Sequence, residues 1–366
     1  MAKAKPKKDE AVLPPTESDF SGQQLDLFQT FLCNSGAERD RLSNTFDLWD
    51  SVPRYSVSRQ AMDKMRKAGT FSQLLSIPFN YRGRELEAVI QPAWIQEKDK
   101  DNTITGYYPS ANEELLEDAL RKIAAEQNYG YFDKPNYRSG VVFTLHMLRE
   151  ELKKRGHARS YQQIVLSLKI LARSSIEIAT KDGKNGEGFS INPYFSGLSA
   201  VSRSKLDNDP EAKWIVQFHP LVTQAIDAVT YRQFNYAQMM NHRTQLARWL
   251  HKQLSLKFTF ASLTTSFEMR YSTIKRDSAL LEAYKLQRQA VAALDDAFEE
   301  LKTSQVLMCI QKSEIRSQRA KLEDVVYVLT ASREFATEMK AANKRQSLGE
   351  EGKGGSVDQS IPAKNR

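Results

Sequence analysis

The strongest constraint in this chain is an order of elements that its hydrophobic periodicity and capping residues write out twice. The stretch SANEELLEDALRKIAAEQ opens with Ser110 and Glu113 at capping-box spacing, and Leu116, Leu120 and Ile123 fall on one helical face. VVFTLHMLREELKKRG predicts a second helix, basic at its C-terminal end where the dipole favours cations and closed by Gly156. A third begins in RSYQQIVLSLKILARS, where Ser160 and Gln163 repeat the capping box and Ile164, Leu168 and Leu171 make the inward stripe. SIEIAT and GFSINPYF then flank KDGKNGEG, which predicts two strands joined by a Gly-rich turn.

The order recurs after SRSKLDNDPEAK, a polar stretch containing Pro210. A strand, KWIVQFHP, leads into PLVTQAIDAV and then NHRTQLARWLHKQLSLKF, where Leu246, Trp249 and Leu250 pack inward. SFEMRYSTIKRDS follows, and a long helix is expected from about Tyr284 to Leu301 with Val291, Leu294, Phe298 and Leu301 on one face. QVLMCIQKSEI and LEDVVYVLT read as strands around RSQRAK. Three helices followed by a hairpin is the order of a winged helix. The expected fold class is therefore α+β and helix-rich, with two tandem winged-helix domains at 110–204 and 205–340.

The remaining segments are less regular. Residues 1–20 and 341–366 combine charge, Gly, Ser and Pro with few large apolar groups and are expected to be disordered tails. Residues 33–109 read as a mixed N-terminal extension of turns and short strands. Lysine and arginine outnumber aspartate and glutamate 53 to 45, a net charge of +8 that suits an anionic partner such as nucleic acid. Cys33 and Cys309 are too few for a disulfide framework or a Cys-rich zinc site, and a reducing cytoplasm is the expected location. The chain is expected to be neither exported nor membrane-spanning, because no stretch of about 18 consecutive apolar residues occurs.

The motifs of catalysis are missing. His146, His157, His219, His242 and His251 never occur as H-x-H or H-E-x-x-H, so no metal site is expected. GKNGEGFS lacks the order of a phosphate-binding loop, no G-x-S-x-G elbow occurs, and neither cysteine has a partner histidine suggested by spacing. The fourteen tyrosines would allow a rolling-circle nickase, but the paired histidines that hold its metal are absent. No cofactor and no enzymatic activity are expected.

Binding to double-stranded DNA has better support. A winged helix offers the first turns of its last helix to the major groove and its hairpin to the flanking backbone. In the first domain Arg159, Ser160, Gln162, Gln163 and Lys169 lie off the apolar stripe, with Lys181 and Lys184 on the hairpin. In the second the candidates are Lys275, Arg276, Lys285, Gln287, Arg288 and Gln289, with Lys312, Arg316, Arg319 and Lys321 on the hairpin. Arg and Gln carry the donor pairs that match guanine and adenine edges. A tandem winged-helix transcriptional repressor would present the same surface.

One segment, 21–32, is apolar where its surroundings are polar. Its Gln24-Leu25-Asp26-Leu27-Phe28 resembles the Q-L-x-L-F peptide with which bacterial polymerase subunits and initiators dock on the sliding clamp. Leu25, Leu27 and Phe28 suit apolar pockets and the Gln24 amide suits a register-fixing hydrogen bond. The alternative is an amphipathic helix packing Leu25, Phe28 and Leu32 on the folded body. With VVFTLHMLREELKKRGHARSYQQIVLSLKILARSSIEI and RTQLARWLHKQLSLKF…FEMRYSTIKRDS, the chain resembles plasmid replication initiators of the Rep class, most closely the TrfA-like initiators, over about 110–335 plus the peptide. The resemblance implies binding to iterons (directly repeated origin sequences), opening of the origin, and recruitment of host helicase, chromosomal initiator and clamp. It also implies an active monomer held in reserve as an inactive homodimer through the first module. Bases would be read by the second module, with Arg276, Lys285 and Arg288 nearest them, while the first grips backbone.

Overall fold

The computed structural model describes residues 40–354, apart from 73, 97–102, 127–128, 181–187, 203–205 and 207–208. The peptide at 24–28, Lys181, Lys184 and the tail 1–20 lie outside the described residues. Among the described residues mixed helix and sheet build two large apolar cores, one drawing residues from Phe46 to Met240 together with Ala279, the other from Leu246 to Met339, and a small third cluster of Ala93, Ile95 and Ile170.

The second core is a winged helix in its simplest form. Helix α8 (Gln245–Lys257), strand β13 (Ser266–Arg270), helices α9 (Tyr271–Ser278) and α10 (Gln287–Thr303) and the hairpin β14 (Leu307–Arg316)–β15 (Leu322–Ala331) follow in that order, with sheet order β13-β15-β14. Leu246, Trp249 and Leu250 are buried as expected, and so are Val291, Leu294, Phe298 and Leu301. A last helix, α11 (Arg333–Gly354), packs Phe335 and Met339 on this core and carries helical structure past the expected boundary at 340.

The first core contains more than the expected winged helix. Its helices are α3 (Ala111–Ala125), α4 (Leu145–Lys154) and α5 (Tyr161–Arg173), and both expected capping boxes are formed. Gly156, at φ +80°, ends α4 in the left-handed conformation that favours glycine. The hairpin β8 (Ser175–Thr180)–β9 (Phe189–Pro193) forms in register, yet β8 takes β3 (Arg84–Gln91) as its other partner, and β2 (Leu75–Tyr81) completes a four-stranded sheet. The extension thus supplies half of the sheet that carries the first hairpin.

Strand β11 (Lys213–Phe218), expected to open the second domain, belongs to the first. It pairs antiparallel with β7 (Arg138–Thr144) and β10 (Phe195–Val201), with β6 (Gly130–Asp133) at the edge. Alternate residues Trp214, Val216 and Phe218 are buried in the first core, where α6 (Pro220–Ala228) also packs Val222 and Ile226. The boundary expected at 205 therefore moves to the turn between Met240 and Leu246, because the apolar face of β11 is completed by β7 rather than by α8.

Between the two cores runs a polar seam. The extension's β1 (Leu42–Phe46) pairs with β12 (Tyr231–Asn235), and Ser43, Asn44, Thr45, Arg232 and Gln233 are all buried there. The charged face of α3 is buried as well, with Glu113, Glu114, Glu117, Asp118, Arg121 and Lys122 all enclosed. Arg121 contacts Asp50 at 2.8 Å and Asp118 at 3.1 Å, and Arg54 bridges Asp50 and Glu117 at 3.0 Å each. From the second core Lys252 of α8 reaches Glu114 at 2.8 Å and Asp118 at 3.1 Å. Burial alone would raise these carboxyls, but Arg121 and Arg54 hold Asp50 far below the ordinary range and bring Glu117 to about 2. The charges are buried because partners arrive from three directions: helix α1 (Asp47–Ser51), the segment after it, and α8.

Candidate nucleic-acid interface

The inward stripe of α10 fixes which of its residues face out. With Ala290, Val291, Leu294 and Ala297 buried, Arg288 and Gln289 in the first turn and Ala292 in the next are exposed. The helix starts at Gln287, three residues later than expected, so Lys285 lies in the exposed approach. Its N-cap, Leu286, has no side-chain oxygen to occupy the first amides, which leaves them and the positive end of the dipole available to an anion. Among the described residues neither Lys285 nor Arg288 forms an ion pair or a side-chain hydrogen bond. Toward the far end the helix turns acidic, through Asp295, Asp296, Glu299 and Glu300. Only the first two turns therefore suit a phosphate-lined groove.

The hairpin beside this helix is long and free at its outer half. Residues Gln311–Arg316 of β14 are exposed throughout, and strands of ten residues span roughly 33 Å. At its tip Arg319 and Lys321 are exposed, while Arg316 folds back on Glu314 at 2.5 Å and on the Ala320 carbonyl at 2.9 Å. Lys312 sits 2.6 Å from Asp295, which also accepts from the Tyr327 hydroxyl at 2.8 Å. Lys312 thus ties hairpin to helix with its charge already matched.

The two cations of α9 are placed differently from the expectation. Lys275 lies 3.6 Å from the Glu282 carboxylate, and the Arg276 guanidinium is clamped by Asp277 at 2.7 Å and lines the clefts that α9 makes with β2. The structure gathers Lys285, Gln287 and Arg288 around one helix start and leaves Arg276 against the extension.

In the first module the expected recognition surface is mostly occupied. Gln163 and Ser160 hold each other in the capping box, and Arg159 donates to Asn112 at 2.9 Å. The opposite face of α5 is covered by a ribbon from the extension, β4 (Ala93–Gln96) paired with β5 (Ile104–Tyr107), where Ala93 and Ile95 pack on Ile170. Arg173 donates to the Trp94 carbonyl at 3.4 Å. Gln162 remains exposed and Lys169 half-buried, so α5 presents an edge where α10 presents an open first turn.

No protein-family profile matches the chain, and no curated protein sequence matches it. Solved structures give distant likenesses. The crystal structure of selenomethionine derivatives of domains 2 and 3 of RctB is 10% identical, covers 71% of this chain and 91% of its own, and superposes with a TM-score of 0.45. Another crystal structure of RctB domains 2–3, at 10% identity, covers 74% and 95% with a TM-score of 0.42. The Pi initiator protein in complex with iteron DNA is 9% identical, covers 81% and 99%, and has a TM-score of 0.34.

His219, His242 and His251 act as packing groups. His219 stacks on Trp49 at 4.1 Å and is pushed down to about 3, chiefly by burial. His242 contacts His251 at 3.0 Å, and burial brings His242 to about 4. Among the described residues no group of three or more His, Cys, Asp or Glu side chains is arranged to hold a metal, and no helix is long and apolar enough to cross a membrane. The covering ribbon over α5 and the buried ion pairs of the seam carried no signal in the sequence pattern, since both depend on contacts between distant segments.

Proposed function

We propose that this chain is a plasmid replication initiator that binds directly repeated origin sequences in double-stranded DNA and acts in the cytoplasm by binding rather than by catalysis. The observation that carries the reading is the first turn of α10. Exposed, unpaired Lys285 and Arg288 and the adjacent Gln287 and Gln289 stand at an uncapped helix N-terminus beside a hairpin with a basic tip. Arg and Gln at that position have the donor geometry for guanine and adenine edges, and Arg319 and Lys321 suit the flanking phosphates. The first module, with α5 largely covered, grips backbone through Gln162, Lys169 and the edge of its hairpin.

On this reading Gln24, Leu25, Leu27 and Phe28 recruit the sliding clamp. Opening of the origin, recruitment of helicase and chromosomal initiator, and an inactive homodimer follow from the resemblance to Rep-class initiators. Support for the clamp contact is the match of all four anchor positions to the docking peptide.

Selection of duplexes from a random pool by the full chain tests the reading. Recovered sites in direct repeat, with affinity that falls on Arg288→Ala, support it. Inverted repeats would indicate a dimeric repressor and overturn it. Surface plasmon resonance with the clamp, comparing the native chain with Leu27→Ala/Phe28→Ala, tests the recruiting peptide separately.

A further inference from the structure

Away from α10 and its hairpin, a cleft of about 550 Å³ opens where β2, β12, α8, α9 and α11 meet. That volume lies within the range of small-molecule sites. Its charges do not balance. Asp47 is already engaged by Arg82 at 2.5 Å and by the Tyr81 hydroxyl at 2.7 Å. Asp277 is engaged by Arg276 at 2.7 Å and by the Asn80 amide at 3.0 Å. Two further cations have no carboxylate partner among the described residues.

One is Arg232, 9% exposed, whose guanidinium donates only to neutral oxygens: the Ser255 carbonyl at 3.1 Å, Gln346 at 2.8 Å and Asn343 at 2.6 Å. These three bonds leave two of its five N–H groups over. The other is Lys257 at the mouth, which forms no hydrogen bond or ion pair with a described residue and feels Asp277 and Asp47 only at longer range. Burial depresses the Arg232 guanidinium below its ordinary value. A buried arginine with only neutral acceptors is costly unless an anion completes it.

We propose that this cleft binds a phosphate-bearing small ligand of nucleotide size, its phosphoryl oxygens held between the Arg232 guanidinium and the Lys257 ammonium. The planar fork of Arg232 suits two phosphoryl oxygens, while Lys257 supplies a mobile point charge. Thr230, Thr259 and Thr273 also line the cleft and offer hydroxyls to the rest of the ligand. Such a ligand would bridge β12 of the first core to α8 and α9 of the second, and so bear on the angle between the modules.

The test is calorimetric titration of the full chain with ATP, adenosine and pyrophosphate, on the native protein and on Lys257→Ala and Lys257→Arg. Arg232 is left unchanged because its side chain also anchors α11. Saturable binding of ATP and pyrophosphate but not adenosine, weakened tenfold or more by Lys257→Ala and kept within a few-fold by Lys257→Arg, is the expected result. Duplex binding without nucleotide should change less than twofold in Lys257→Ala, which separates this site from the DNA surface. If a single-stranded oligonucleotide displaces ATP with the same dependence on Lys257, the phosphoryl site stands and its natural source is a DNA backbone phosphate. Absence of saturable binding at millimolar ATP or pyrophosphate, adenosine binding as tightly as ATP, or indifference to Lys257→Ala would overturn the proposal.

Discussion

Replacing Lys252 by methionine probes the seam between the two cores. The ammonium lies 2.8 Å from Glu114 and 3.1 Å from Asp118, and all three side chains are at least 94% buried. Methionine keeps the length and apolar stem and removes the charge. Glu114 would retain the Gln245 amide at 2.8 Å and Asp118 would retain Arg121 at 3.1 Å, so each carboxylate loses one partner and keeps one. Breaking a buried pair from one side costs about 3–5 kcal/mol, and a loss in that range is expected at pH 7.5. Part of the cost should be recovered in acid. In the native protein burial and repulsion from Glu114 already hold the Asp118 carboxyl above its ordinary value, and Lys252 holds Glu114 below it; without the ammonium both carboxyls rise, so the folded variant binds more protons than the native fold. Its stability relative to the native protein therefore rises as pH falls toward about 5. Urea unfolding at pH 7.5 and 5.5 reads this directly. Trp49 donates to Glu117 at 2.6 Å and Trp249 lines the same cavity as Lys252, so their fluorescence reports on the seam. Glu114→Gln/Lys252→Met should regain most of the loss. A loss under about 1 kcal/mol, or one independent of pH, would refute the charge-balance reasoning.

Three further outcomes are expected. Arg288→Ala should weaken binding to a selected duplex by about 1–3 kcal/mol and leave binding to random duplex nearly unchanged, whereas Arg319→Ala should lower both alike and reduce the salt slope by about one; fluorescence anisotropy across a salt series distinguishes them. The native protein should lose stability as pH falls from about 6.5 to 4, because His242 and His219 are neutral in the fold and protonate in the unfolded chain; with His242 near 4 the contribution is about 3 kcal/mol, and an unfolding midpoint flat across that window would contradict it. Ile170→Ala should cost about 2–5 kcal/mol, since Ile170 is fully buried under Ala93 and Ile95, and a cost near zero by thermal unfolding would mean that the ribbon does not clasp α5.

What was legible in the sequence is what local chemistry decides. Ser110 with Glu113 and Ser160 with Gln163 announced their helices because a capping box is complete within four residues. The stripe through Val291, Leu294 and Phe298 set the rotation of α10 for the same reason, and with it the exposure of Arg288. The assignment of β11 went the other way. Its alternation showed a half-buried strand but not which sheet would complete it, and β7 lies some 70 residues earlier. The burial of α3's charged face left no mark in the local pattern because its partners Arg54, Asp50 and Lys252 come from segments up to about 200 residues apart. Arg276 was a base-contact candidate because the cleft that takes it up is built by β2, about 200 residues away, although its clamp, Asp277, is the next residue.

The polar seam also sets the thermal character of any motion between the modules. Exposing apolar surface raises heat capacity, whereas exposing polar surface lowers it. With Asn44, Gln233, Arg121, Asp118 and Lys252 at the junction, the two contributions oppose each other when the cores part. A change in the angle between them would then carry little heat capacity, and its equilibrium would respond to temperature almost linearly, without the curvature that a greasy interface imposes.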